Sequence, residues 1–436
     1  MFEERIANTS RSRYRASKTD CLVRVASAPR QPRAWKLRAL QAAALMACAA
    51  MANAEGNPYT VGVYQAFSYD SNVFRSTDAF AQSTGWSTTG VFAGVDQPIG
   101  RQRFYANGNI AANVYDELSQ LDYTSYNFAI GLDWATIEHL KGTVHVSADQ
   151  RLGDYGGEND APIRTRNIRN GTLAYASAQY GLVSLLALTG RLAYNEARYS
   201  APEYARSDLT QRSASLGIKK QFSGQLTLGT GATYTDGAYS SGQDFDRYDV
   251  YLSGDWIATG LSTINGRLNY SKWDYTTVDP FEESSATGWV QWVYVPTGKL
   301  EFKTLLSYDT LANSGLTEIA EDGLPTQGGT NQLTTALQLG VNYAASAKVK
   351  VNASLNHYRR TNNRAFNPLP GQDVGNVETR DRVTALNLGA SWTPTRNWRI
   401  GCNVSSDTRN QSSSQEITLR PYDAWGASCA VRFALR

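Results

Sequence analysis

Histidine, cysteine and methionine are scarce in this 436-residue chain, and each shortage removes a class of chemistry. The three histidines, His139, His145 and His357, form no His-Glu-x-x-His string and stand beside no cysteine pair at ligand spacing, so no metal site is legible. Glycine-rich phosphate loops and dinucleotide fingerprints are missing as well, and no cofactor is expected. Beyond the first 54 residues no apolar run reaches the roughly 20 residues that a membrane-crossing helix needs. All 3 methionines fall within those first residues, whereas the chain carries 25 tyrosines, 36 glycines and 10 tryptophans, which is not the composition of an ordinary soluble core.

Residues 1–54 read as a secretory signal peptide. Ten basic residues from Arg5 to Arg38, against the acidic Glu3, Glu4 and Asp20, precede an apolar run from Ala39 to Met51, and Ala52-Asn53-Ala54 offers a small-x-small cleavage site. The charged stretch is long enough to point to an upstream start assignment. Leu45-Met46-Ala47-Cys48 offers a lipobox as the alternative end of the leader. Without the leader the chain has 42 − 10 = 32 basic and 39 − 3 = 36 acidic residues, a balance near −4. The basic excess therefore belongs to the leader, and no nucleic-acid partner is expected.

What fills residues 55–436 is alternation. Tyr126, Phe128, Ile130, Leu132 and Trp134 take every second place, with Asn127, Ala129, Gly131 and Asp133 between them. After a short turn Val144, Val146 and Ala148 continue one face, and Thr143, His145, Ser147, Asp149 and Arg151 the other. One face suits hydrocarbon and the other water, the pattern of a membrane-spanning strand pair. Repeated along the chain, it gives eighteen strands, with sixteen as the alternative. Short connections such as 97–101 and 181–184 alternate with long polar ones such as 153–170, 309–330 and 359–377. The expected fold is thus all-β: a transmembrane up-and-down antiparallel β-barrel in the outer membrane, surrounded by lipid, with turns in the periplasm and loops outside.

A barrel of this size is wide enough for an aqueous lumen. The residues expected to line it include Asn107, Asn109, Asn113, Asp133, Arg191, Arg212, Asp249, Asp255, Arg267, Lys303, Lys350, Asn352 and Arg399. Tyr155, Arg164, Arg166, Arg169, Tyr199, Tyr204, Arg359, Arg360 and Arg364 are expected in long loops, where arginine with tyrosine suits acidic sugars. Cys402 and Cys429 fall on the lipid face of the last two strands at similar height, either joined as a disulfide or standing as two small apolar side chains.

One constellation bears on catalysis. His145, Ser147 and Asp149 place a base, a hydroxyl and a carboxylate on one face of one strand, and the His-x-Ser spacing resembles that of outer-membrane phospholipase. Here Val144 and Val146 claim the lipid face, so the His and Ser are expected to face water, where polar alternation accounts for them without chemistry. No enzyme is expected.

The first hairpin carries the most distinctive string, Tyr69-Asp70-Ser71-Asn72-Val73-Phe74-Arg75, followed by the Trp86 strand and a Gln97-Pro98-Ile99-Gly100 turn. Asp70 and Asn72 can form an Asx-type turn that ends the strand, with a cation site as the alternative. The string and the eighteen-strand layout resemble the EpsL-type outer-membrane proteins of exopolysaccharide operons, associated with exosortase systems in beta-proteobacteria. That resemblance implies a part in moving a polysaccharide across the outer membrane, with periplasmic export machinery as a partner. An uptake porin and a closed structural barrel are the alternative expectations.

Overall fold

A computed structural model describes residues 57–435 of the protein, except 137–138, 154, 156–163, 241–243, 277–280, 311–332, 367–374 and 414–420. The expected leader lies outside the described residues. Eighteen strands follow one another. They are β1 Tyr59–Asp70, β2 Thr84–Ile99, β3 Gln102–Tyr115, β4 Tyr123–Ala135, β5 Leu140–Leu152 and β6 Ile168–Leu182. Next come β7 Leu186–Tyr199, β8 Leu209–Gln221, β9 Leu226–Tyr239, β10 Asp244–Thr259, β11 Ser262–Thr276 and β12 Phe281–Thr297. The last six are β13 Leu300–Thr310, β14 Leu333–Tyr343, β15 Val349–Phe366, β16 Gly375–Trp392, β17 Trp398–Ser413 and β18 Tyr422–Leu435. Every strand pairs antiparallel with its sequence neighbours, and β1 pairs with β18 from Val61↔Leu435 to Asp70↔Gly426, so the sheet closes on itself.

Closure follows from the solvent. Hydrocarbon offers no partner to a free N–H or C=O, so a sheet that presents an oily outer face to lipid survives only without edges. The oily face is continuous: Val63, Phe67, Val91, Ile110, Phe128, Ile130, Val146, Leu192, Leu216, Val250, Leu268, Val290, Leu306 and Leu388 all point outward and are exposed. Aromatic side chains mark both rims of this band. Tyr180, Phe222, Trp256, Tyr343, Trp392 and Trp398 ring the end with the short turns, and Tyr69, Tyr234, Tyr248, Tyr270, Tyr308 and Trp425 ring the end with the long loops. Two aromatic girdles around an apolar band place the protein in a Gram-negative outer membrane, turns toward the periplasm.

Cys402 and Cys429 are direct partners in the β17–β18 ladder and form a disulfide. Several strands outrun the apolar alternation. The β15–β16 hairpin stays in register out to Phe366↔Gly375, well past the last lipid-facing apolar residues, across a stretch the sequence assigns to a loop. Above the membrane neither face of a strand meets lipid, so the ladder of backbone hydrogen bonds continues without any hydrophobic signature.

Candidate functional site

The inner wall is fixed by register, since directly paired residues share a face and the apolar set has taken the outside. Asn107, Asn109, Asn113, Asp133, Arg191, Asp249, Asp255, Arg267, Lys303, Lys350, Asn352 and Arg399 all lie on it. Arg212 does not, which corrects the expectation. It shares parity with Leu216 and Ile218, pairs with Tyr194 and Asp236, and is exposed on the outer face near the extracellular girdle. A charged side chain at that height keeps its stem along the apolar band and its head in the interface.

Burial divides the inner wall into two halves. Toward the periplasm its polar groups are solvated. Lys350, Asn352, Asp255 and Arg399 are exposed, Arg103 holds Asp96 at 2.7 Å, and Lys303 holds Glu301 at 3.3 Å. Toward the outside they are buried in networks. Arg247 bonds Asp249 at 2.8 Å through Nε and Asp309 at 3.0 Å through Nη1, and the Ser271 hydroxyl donates to Asp249. Arg360 and Arg409 converge on Asp381 at 3.1 and 2.7 Å. Buried charges persist only when paired and hydrogen-bonded, and these are both.

Aromatic rings on the wet face form a second pattern, one the sequence reading missed. A single register row runs Tyr105, Gly131, His145, Tyr175, Ala193, Ser213, Thr235, Arg247, Trp273. Because strands tilt in a barrel, the row climbs: Tyr105 lies near the periplasmic start of β3 and Trp273 near the extracellular end of β11. His145 stacks on Tyr175 with ring centroids 5.1 Å apart, and its Nδ1 meets the Tyr105 hydroxyl at 3.2 Å. Guanidinium groups lie over rings along the same wall, Arg191 over Tyr175 at 4.0 Å and Arg267 over Tyr251 at 3.7 Å. The rings lie against the wall where side chains are absent: a Cβ added at Gly131 would meet the Tyr105 ring, and one at Gly217 or Gly231 the Tyr251 hydroxyl. The signal was in the sequence, since Tyr105, Tyr175 and Tyr251 fall on the polar parity of their strands.

The string at the first hairpin is a staple across the closure seam. Asp70 Oδ1 accepts from the Asn72 backbone N–H at 2.8 Å, the Asx turn expected there. Asn72, 1% exposed, accepts from the Ser76 N–H at 2.9 Å and donates to the Asp423 carbonyl of β18 at 3.2 Å. Arg75, at a positive φ of 50°, donates to both Asp70 oxygens at 2.9 Å and to Asp407 of β17 at 3.1 Å. Burial works against its charge, but the two carboxylates outweigh it and hold the Arg75 pKa above the ordinary arginine value. Phe74 packs with Tyr115, Leu121 and Tyr155. The Asp70 carboxylate is thus committed to Arg75 and the Asn72 N–H, and among the described residues no cluster of metal-ligating side chains occurs.

The loop candidates separate. Tyr155 seals this cluster from the third long loop, donating to the Thr165 carbonyl at 2.9 Å, and burial pushes its phenol up to about 12. Arg166 donates to the Asp122 carbonyl at 2.9 Å, and Arg164 is exposed. Arg169, Arg359 and Arg360 stand on strands instead of loops. Arg169 faces inward and pairs with Asp149 at 3.3 Å, Arg359 faces outward, and Arg360 is buried on Asp381. The Arg364 side chain lies outside the described residues. With Asp149 held by Arg169 and His145 by Tyr105, no hydrogen bond joins His145 to Ser147, and the strand does not assemble a nucleophile with its base.

No protein-family profile and no curated protein matches this chain. Among solved structures it is similar to the FrpB iron transporter of Neisseria meningitidis (F5-1 variant), at 10% identity and a TM-score of 0.46 over 87% of this chain and 83% of that one. It is similar also to OccK5 (OpdH) of Pseudomonas aeruginosa, at 12% identity and a TM-score of 0.42 over 87% and 98%. The copper transporter OprC stands at 11% identity and a TM-score of 0.41 over 88% and 81%. Likeness at this level says nothing of cargo; the closed barrel stands on its own strand register.

Proposed function

We propose that this porin-like barrel is an exit for an extracellular polysaccharide across the outer membrane, acting by lumen shape and polarity without bond chemistry. The observation that carries the reading is the climbing row of rings on the wet face. Aromatic side chains on a water-facing wall have no packing duty toward lipid, and their flat faces match the apolar faces of sugar rings. Tyr105, His145 and Tyr175 stand together on the lower part of the row, at the solvated half where a chain would enter, and offer it stacking partners there. Trp273, at the upper end, is instead buried with Leu209 and Phe245. The first-hairpin string and its resemblance support the same reading, as does a vestibule whose solvated charges face the compartment from which a polymer would arrive. Periplasmic export machinery is the partner this implies.

The test is a deletion strain. Surface and secreted polymer are expected to be lost while growth on small sugars is unaffected. Intact polymer together with slowed growth at low sugar concentration would replace this reading with an uptake porin.

A further inference from the structure

Midway along the inner wall, where the solvated half meets the buried networks, lies a cavity of about 90 Å³ lined by Arg191, Arg247, Arg267, Asp249, Asp309 and neutral side chains of β6 to β12. Its charges are three arginines against two carboxylates, and both carboxylates are already bound by Arg247. Arg267 is held by neutral groups alone: Nε donates to Asn269 Oδ1 at 2.7 Å, Nη2 to Thr233 Oγ1 at 3.1 Å, and its plane covers Tyr251. Arg191 presents its guanidinium from the neighbouring wall, flat on Tyr175. A guanidinium fork fixed by neutral side chains and backed by a ring is preorganised for a planar anion. The space takes several waters and so has room for a carboxylate.

We infer that Arg191 and Arg267, on their rings Tyr175 and Tyr251, form a binding site for the acidic substituents of the transported chain, so that the cargo is an anionic glycan such as a uronic-acid polymer. This rests on the polysaccharide reading for its taking carbohydrate as ligand, and adds the sign of the charge. The sugar faces meet rings of the climbing row, and the carboxylate reaches into the cavity.

Purified protein in planar bilayers tests it, with oligogalacturonate as probe and a maltooligosaccharide of equal length as its neutral counterpart. Oligogalacturonate is expected to block the current at a concentration at least about tenfold lower, one charge-assisted contact's worth. Arg267→Gln and Arg191→Gln should each shrink that ratio, and Arg267→Lys, which keeps the charge without the fork, should fall between. Equal block by both sugars, or an unchanged ratio in the Gln variants, overturns the site. Should a variant fail to insert, methyl-esterified oligogalacturonate on the unaltered protein decides instead. It keeps the sugar and removes the charge, and block as strong as with the free acid overturns the proposal. The deletion strain separates the two readings: lost polymer with no preference for the acid sinks the site alone, whereas intact polymer sinks the export reading whatever the bilayer shows.

Discussion

Asn72 ties the rim together, because its amide serves three backbone groups from a site with 1% exposure. Asn72→Ala leaves those groups without partners at about 1–3 kcal/mol each for any that stays dry. A loss of roughly that size is expected in the urea midpoint of the refolded protein, and a midpoint unchanged within error would mean that the seam does not depend on the string. Arg75 sets the pH range of the same staple. Its folded pKa is raised, so its contribution is complete below the unfolded arginine value and lost only as pH climbs through the folded one. The seam should therefore withstand alkali up to about pH 10, read as unchanged heat-modifiable migration; release below that pH would contradict the pairing. Cys402 and Cys429 close a separation of 27 residues, for which loop entropy gives about 3–4 kcal/mol. Alkylation of unfolded protein without reductant should label neither thiol. The sequence places both cysteines on one face at one height, but whether two such thiols bond is decided by their facing each other across the ladder, which spacing alone leaves open. Arg212 shows the opposite limit. Its charge argues for the wet wall, yet the pleat assigns it to the parity of Leu216 and Ile218, and the pleat wins because one slip would turn every neighbour over.

At the scale of the strand, alternation names the fold wherever lipid and water meet opposite faces, as along Tyr126, Phe128, Ile130 and Leu132. It falls silent where lipid meets neither. Arg359-Arg360-Thr361-Asn362 looks like a loop because no face is oily, while the backbone pairs on through Asp381 and Arg380. The buried networks were illegible for a related reason. Asp309, Asp381 and Arg409 are ordinary polar residues in the string. It takes the hairpin registers to set Asp381 between Arg360 and Arg409 of its two neighbouring strands, and the curved wall to bring Asp309 of β13 to Arg247 of β10. Asp381 holds two guanidiniums, so Asp381→Asn removes a buried carboxylate that both share. A loss of about 3–5 kcal/mol is expected, the scale for breaking a buried ion pair. Replacing Arg360, Asp381 and Arg409 together with apolar residues of similar volume should recover most of it. If the single variant were the milder of the two, the network would be ornamental to stability.

For the whole barrel, the consequential property is the asymmetry between its ends. Exposed charges line the periplasmic half, Lys350, Asp255 and Arg399 among them, while the extracellular half of the same wall is occupied by Arg247, Asp309, Arg360 and Asp381 at exposures of 8% or less. Side chains buried on a lumen face take up space that solvent would otherwise fill. The wall is therefore wet toward the periplasm and packed with paired charges toward the outside, and an export route along it is expected to narrow outward to a throat. Flexible neutral polymers measure such a shape, because they lower pore current only from the side they can enter. Polyethylene glycols of increasing size, added on one side of a bilayer holding oriented protein, should depress the conductance to a larger size limit from the periplasmic side than from the outside. Arg247→Ala, which removes the group binding Asp249 and Asp309 together, should narrow that difference by widening the throat. Equal size limits from both sides in the unaltered protein would describe a straight tube, and a straight tube would give an emerging polymer no preferred direction of entry.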